Sequence, residues 1–278
     1  MLGDIWNLII YNPIHNVLIY FYSLTSNLGI SILLIIVLIR VLLTPLVIKQ
    51  FNDMKKLSAL RPRLQELQKK YKDKPTEMAA AQQALYKEVG YNPLGCFTNL
   101  IFQLPILIAL YQSVLSFTQY TPQNMPNLYP FVQEALNRLQ LTTFNTDFLG
   151  ISLLSSPASQ LSWTNIVATL PYIVLIILLG ISNFIPSYVN LKYINPQPTP
   201  AKQKEGEEAS FEDSLATSMN TSTMYVMPFI LTISMVSFPS IIAFYIIFQN
   251  TIATLQQVAV KMLADRKESK KDIQTTTK

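Results

Sequence analysis

Arg40 lies in the stretch Leu28 to Ile48, where only Ser31, Arg40 and Thr44 interrupt an apolar run. It is nine residues from Lys49, roughly 13 Å along a helix and farther than its side chain reaches alone. A guanidinium at such depth in hydrocarbon costs at least roughly 2.5 kcal/mol, so it must face a bundle interior or water. A buried carboxylate is the usual remedy, yet none of the long apolar stretches holds an Asp or Glu. They offer neutral polarity instead. Thr44 is one turn from Arg40, Asn99 and Gln103 are four apart and share a helix face, and Gln249, Asn250, Gln256 and Gln257 cluster near the C-terminus. Spacing alone leaves two readings. Either these groups converge on Arg40 in a hydrated recess whose single positive charge suits an acidic visitor, or Arg40 reaches lipid phosphate or backbone carbonyls while the amides join helices.

Other chemistries find little support. One histidine, His15, and one cysteine, Cys96, provide neither a metal cluster nor an internal disulfide. The nearest thing to a phosphate loop, Gly90 to Gly95, runs into Cys96-Phe97 where Lys-Ser/Thr would be required. No nucleophile with its base and no paired aspartates suit an intramembrane protease. The reading is a non-enzyme without cofactor or metal. The net charge of +5 and pI near 9.1 do not point to nucleic acid, because the basic residues lie between apolar segments, where topology accounts for them.

The elements that would position these residues are membrane spans. Half of the 278 residues are hydrophobic and only 13% are charged, about half the usual charged share. Apolar stretches of roughly 20 residues match a bilayer core about 30 Å thick. The fold expected is an all-α integral membrane protein with five transmembrane helices, over 28–48, 94–117, 166–185, 223–238 and 241–263. Pro105 and Pro171 fall inside the second and third, and Pro186 closes the third. The fourth is short, about 24 Å as a helix, and Pro239-Ser240 turns it into the fifth.

Charge sets the expected orientation. The segment before the first span has no Lys or Arg, the loop from Lys49 to Asn92 has ten, and Thr118 to Ser162 has only Arg138. With six more basic residues from Lys261 onward, the positive-inside rule predicts N-out and C-in. Residues 1–26 lack a positive n-region and a small-residue cleavage site, so an interfacial amphipathic helix is expected there, with His15 at headgroup level. Within the five-span core, 27–263, the cytoplasmic segment 51–90 reads as a helical hairpin. Leu57, Leu60, Leu64, Leu67 and Tyr71 form one apolar seam, Met78, Ala81, Leu85 and Val89 a second, Gly90 caps the second, and Pro62 marks a bend. The loop 187–222 reads as mobile, and 264–278 as a basic, disordered cytoplasmic tail.

The runs LLIIVLIRVLLTPLVIKQ (33–50), NPLGCFTNLIFQLPILIALY (92–111) and Phe238-Pro239-Ser240 leading into AFYIIFQNTIATLQQ, with LRPRLQELQKKYK in the basic loop, resemble the YidC/Oxa/Alb family of membrane protein insertases. The resemblance covers most of 28–263 in order. It implies a groove open to the cytoplasm and to lipid but closed on the outer side, with Arg40 matching the family's groove arginine ahead of Thr44-Pro45. Tyr245 falls where the last helix carries an aromatic near the groove. The substrate-binding set expected is then Arg40, Thr44, Asn99, Gln103, Tyr245, Gln249 and Asn250. The implied partners are nascent hydrophobic membrane proteins and the lipid bilayer, with a ribosome and the Sec translocon as candidates and a monomer as the functional unit. The chain resembles a bacterial member without a large extracytoplasmic domain, in the cell membrane. A small-molecule or ion transporter or channel is the alternative, since an intramembrane arginine also suits an anion path.

Overall fold

The computed structural model describes residues 2–71, 74–90, 95–162, 165–194 and 225–276; the side chains of 95–100 and of some other helical positions lie outside that description. Nearly all of it is helix. A short helix α1 (Leu2–Trp6) passes through a π-helical turn (Asn7–Tyr11) into α2 (Asn12–Thr25), and α3 (Leu28–Leu42) follows after a left-handed Ser26. The Asn27 side chain caps α3 by accepting from the Ile30 amide at 3.0 Å. Helix α4 (Thr44–Lys70) then leaves at an angle of 57°. The expected first span is therefore broken near its C-terminal end. Pro45 supplies the cause, because it donates no hydrogen bond and its ring crowds the carbonyl one turn back. The bend expected at Pro62 is not where the helix breaks: α4 is one helix through that residue.

Helix α5 (Pro75–Glu88) returns along α4, and Leu60 and Leu85 are buried on the seam the heptad-like spacing predicts. Gly90 has φ +62°, the left-handed conformation of a helix C-cap. Helix α6 (Gly95–Gln119) is continuous through Pro105. Beyond it come α7 (Pro130–Asn137), a two-stranded hairpin of β1 (Asp147–Phe148) and β2 (Ile151–Ser152), and α8 (Pro157–Gln160). Helix α9 (Ile166–Val189) continues past Pro186, where the sequence reading ends it, into a π-helical turn at Asn190–Ile194. Of the expected mobile loop, residues 195–222 lie outside the described residues.

Helix α10 (Met227–Met235) has nine residues, about 13 Å, well under the length expected for 223–238. The chain unwinds after Met235, ahead of Pro239, and residues 223–224 lie outside the described residues. Helix α11 (Ser240–Thr276) runs 37 residues. The segment read as a disordered tail is helical to Thr276, since no Pro or Gly interrupts it.

Among the described residues, Ile166–Val189 and Ser240–Arg266 are long and apolar enough to cross a membrane, and the bent pair α3–α4 makes a third when taken as one span. Their outer faces suit lipid. Val167, Ile177 and Ile181 of α9 and Phe229 and Ile233 of α10 are exposed, a density of bare apolar surface that water does not tolerate.

The core joins α2, α3, α6, α9 and α11 through Leu18, Ile19, Tyr22, Ile32, Ile35, Ile36, Leu110, Val114, Leu175, Leu179, Ile241 and Phe244. The loop carrying the hairpin is bonded onto the end of this core where α11 begins. Ser240 donates to the Ser155 carbonyl from its amide at 2.8 Å and its hydroxyl at 2.7 Å, the Ile241 amide donates to Leu153 at 2.8 Å, and the Tyr172 hydroxyl accepts from the Ser152 amide at 3.1 Å. Phe148 packs edge-on to Phe244, and its ring occupies the space a Cβ on Gly29 would fill. Only glycine lets the hairpin seat at that point of α3.

Candidate functional site

Arg40 is in the last turn of α3, just before the break, and only 8% exposed. Its Nε has no partner, and among the described residues it forms no ion pair. The break itself holds the polar groups. The Arg40 carbonyl accepts from the Thr44 hydroxyl at 3.0 Å and from Gln256 Nε2 of α11 at 3.1 Å, and Gln256 Nε2 also donates to the Thr44 hydroxyl at 2.8 Å. This triangle pins α11 to the α3–α4 break. Gln256 Oε1 is left buried and unpartnered.

A second polar group joins α6 to α11. Gln103 donates to the Tyr245 hydroxyl, and Gln249 Nε2 donates to Gln103 Oε1 at 2.7 Å. The Tyr245 hydroxyl and the Arg40 guanidinium interact electrostatically, which links the two polar groups. Tyr245 itself is buried and also marks a boundary. Beside it, toward the start of α11, a crevice of about 20 Å³ is lined by Ile32, Leu107, Leu110, Tyr111, Val114, Ile241, Ile242 and Tyr245. Such aliphatic walls offer water no hydrogen bonds.

The expected set is thus only partly one cluster. Arg40, Thr44, Gln103, Tyr245 and Gln249 come together. Asn250 does not join them: one residue on from Gln249, it turns to α9 and donates to Asn183 Oδ1 at 3.0 Å, while Asn183 Nδ2 donates to the Thr232 hydroxyl of α10 at 3.1 Å. A helix turns about 100° per residue, which separates neighbouring amides onto different faces. The Asn99 side chain lies outside the described residues. Sequence reasoning gave no part to Asn183, whose one signal was an amide inside an apolar run, and it saw Gln256 as one of several amides.

His15 also departs from expectation. Instead of meeting headgroups it is fully buried, with Nδ1 2.6 Å from the Ser113 hydroxyl of α6 and its ring stacked on Tyr11. Burial lowers its pKa to about 4. The same helix is fastened by Asn16, which donates to the Asn127 carbonyl at 2.9 Å and accepts from the Tyr129 amide at 2.6 Å. Among the described residues no cluster of His, Cys, Asp and Glu suits a metal.

An uncompensated arginine beside amides and a tyrosine, at the foot of an apolar bundle, is equipped to attract and hydrogen-bond a polar or acidic chain segment. A family model described as 60Kd inner membrane protein matches residues 20–268. The chain belongs to this family, the YidC/Oxa/Alb membrane protein insertases. It is 25% identical over 250 residues to the membrane protein insertase YidC of Helicobacter pylori (strain ATCC 700392 / 26695), covering 90% of this chain and 36% of that protein. It is 29% identical over 255 residues to YidC of Shewanella halifaxensis (strain HAW-EB4), covering 92% and 37%. Against the membrane protein insertase MisCA of Bacillus subtilis (strain 168), identity is 41% over 116 residues, 40% of this chain and 44% of that protein. The chain therefore spans well under half the length of the two YidC proteins, and its match to MisCA is confined to 44% of that protein. Membership accounts for an all-α membrane protein of the inner membrane.

Proposed function

We propose that the protein inserts nascent hydrophobic proteins into the membrane, and that the Arg40 recess is where a client's polar segment is held. Five spans form the core: the α3–α4 pair down to about Ile48, α6, α9, the short α10 and the membrane part of α11. The N-terminus is outside and the C-terminus inside, as the ten basic residues between Lys49 and Asn92 favour. The recess opens to the cytoplasm and to lipid, and the bonded hairpin loop closes the outer end. The hairpin of α4 and α5 meets the client first. A ribosome or the Sec translocon delivers the client, and one copy of the chain suffices.

The observation that carries this reading is Arg40, 8% exposed with an unpartnered Nε and no carboxylate beside it among the described residues. A purely structural arginine at that depth would be matched. The recess shortens the path a polar tail must travel. Membrane potential contributes roughly 2.3 kcal/mol per charge per 100 mV to negative charge moving outward, and burial of the client's apolar helix supplies most of the driving force. No bond is made or broken, so neither nucleotide nor cofactor is required and the protein is not an enzyme.

The test is reconstitution of the purified chain in liposomes with a single-span client bearing an acidic or a neutral tail. Insertion of both by wild type, with Arg40→Ala impaired for the acidic tail and Arg40→Lys partly active, is the expected result. Anion or solute flux without client insertion would establish the transporter alternative instead.

A further inference from the structure

The described residues contain five buried side-chain atoms without a hydrogen-bond partner, and two of them, Arg40 Nε and Gln256 Oε1, belong to residues joined at the α3–α4 break, where Gln256 Nε2 donates to the Arg40 main-chain carbonyl. One is a donor and the other an acceptor. Gln256 is not free to turn its oxygen elsewhere, because its Nε2 is held at once by the Arg40 carbonyl at 3.1 Å and the Thr44 hydroxyl at 2.8 Å. Turning the amide over would face its oxygen toward a carbonyl. The acceptor is therefore fixed in place, beside the arginine, by the break that Pro45 creates.

The chemistry of these two atoms narrows the ligand. A client carboxylate or a lipid phosphate has acceptors only; it satisfies Arg40 and leaves Gln256 Oε1 unpaired. A lysine ammonium has donors only and is repelled by Arg40. A peptide group has one of each, and every client carries it, whatever its side chains. We infer that Arg40 Nε and Gln256 Oε1 together grip the main chain of the client's polar segment, with Arg40 Nε donating to a peptide carbonyl and Gln256 Oε1 accepting from a peptide N–H. The inference rests on the recess being the client site. It adds that recognition there has a part independent of client charge, with Gln256 as the residue that supplies it.

Replacing single peptide bonds of the client by esters tests this, since an ester lacks the N–H and its carbonyl accepts more weakly. A neutral-tailed client carrying one ester at successive tail positions is presented to liposomes containing the full chain. Insertion by wild type should fall about fivefold, the loss of one hydrogen bond, at one or two positions and nowhere else. In Gln256→Leu the position that depends on the lost N–H should vanish, and insertion of acidic and neutral clients should fall by the same factor. A flat ester profile in wild type, with insertion otherwise normal, overturns the main-chain grip and leaves the insertase reading standing. The same holds for an ester profile that persists unchanged in Gln256→Leu. Failure of wild type to insert the all-amide client overturns both.

Discussion

The two ends of the bundle solve their hydrogen bonding in opposite ways. Where α11 begins, the hairpin loop is tied down through Ser240, Ile241, Ser152 and Tyr172, and beneath it lies close aliphatic packing. At the α3–α4 break, by contrast, polar groups are gathered and then left short, with Arg40 Nε and Gln256 Oε1 unpaired. Buried polar groups are ordinarily satisfied. Fastening the hairpin loop through its main chain while leaving Arg40 Nε and Gln256 Oε1 short keeps the break ready for something else, so substitutions under the loop should cost stability and those at the break should cost activity.

The sharpest break of this comparison is in the core on the hairpin-loop side. Leu18→Ala removes a fully buried side chain and should destabilise the protein by about 2–5 kcal/mol, read as a lowered unfolding midpoint in nanodiscs. Gly29→Leu, which drives a side chain into the Phe148 ring, should cost about 1–3 kcal/mol and expose the hairpin loop to protease. At the other end Arg40→Ala should leave the midpoint unchanged or raised, because an isolated buried charge destabilises. It should nevertheless reduce insertion of acidic-tail clients about tenfold, as loss of a charge-assisted contact does. Equal midpoints for all three variants would remove the distinction.

The smallest expected effect is on pH. His15 has its pKa lowered to about 4 by burial against an ordinary value of 6.5, so the unfolded chain binds the proton first. Stability is then complete above about pH 6.5 and falls as pH drops from there through about 4. His15→Gln should flatten that slope in a thermal series, and an unchanged slope would show that other groups set the acid response.

Much of this was legible in the residues. Arg40 with no acidic mate, Thr44 beside it and Gln103 on the next helix follow from depth and spacing, and the seam through Leu60 and Leu85 follows from helical period. What was not legible depended on direction in three dimensions. Gln249 and Asn250 are adjacent in sequence but face α6 and α9, and only knowing which helix lies on each side separates them. Proline misled in both directions. Pro45 breaks the chain, while Pro62 and Pro186 sit inside continuous helices, because whether a freed carbonyl finds a new donor is a matter of tertiary neighbours. His15 was placed at a water interface on composition, whereas the Ser113 hydroxyl and the Tyr11 ring let it be buried.

Site-specific photo-crosslinking to a stalled nascent client tests the central claim most directly. With the crosslinker placed in turn at Gln103, Tyr245, Gln249 and Gln256, and at Ile32, Leu110 and Val114, adducts should form at the first four positions and be absent at the last three. They should weaken when the client's acidic residues are neutralised. Adducts spread equally over both sets, or confined to the aliphatic one, would contradict a client-binding recess at Arg40.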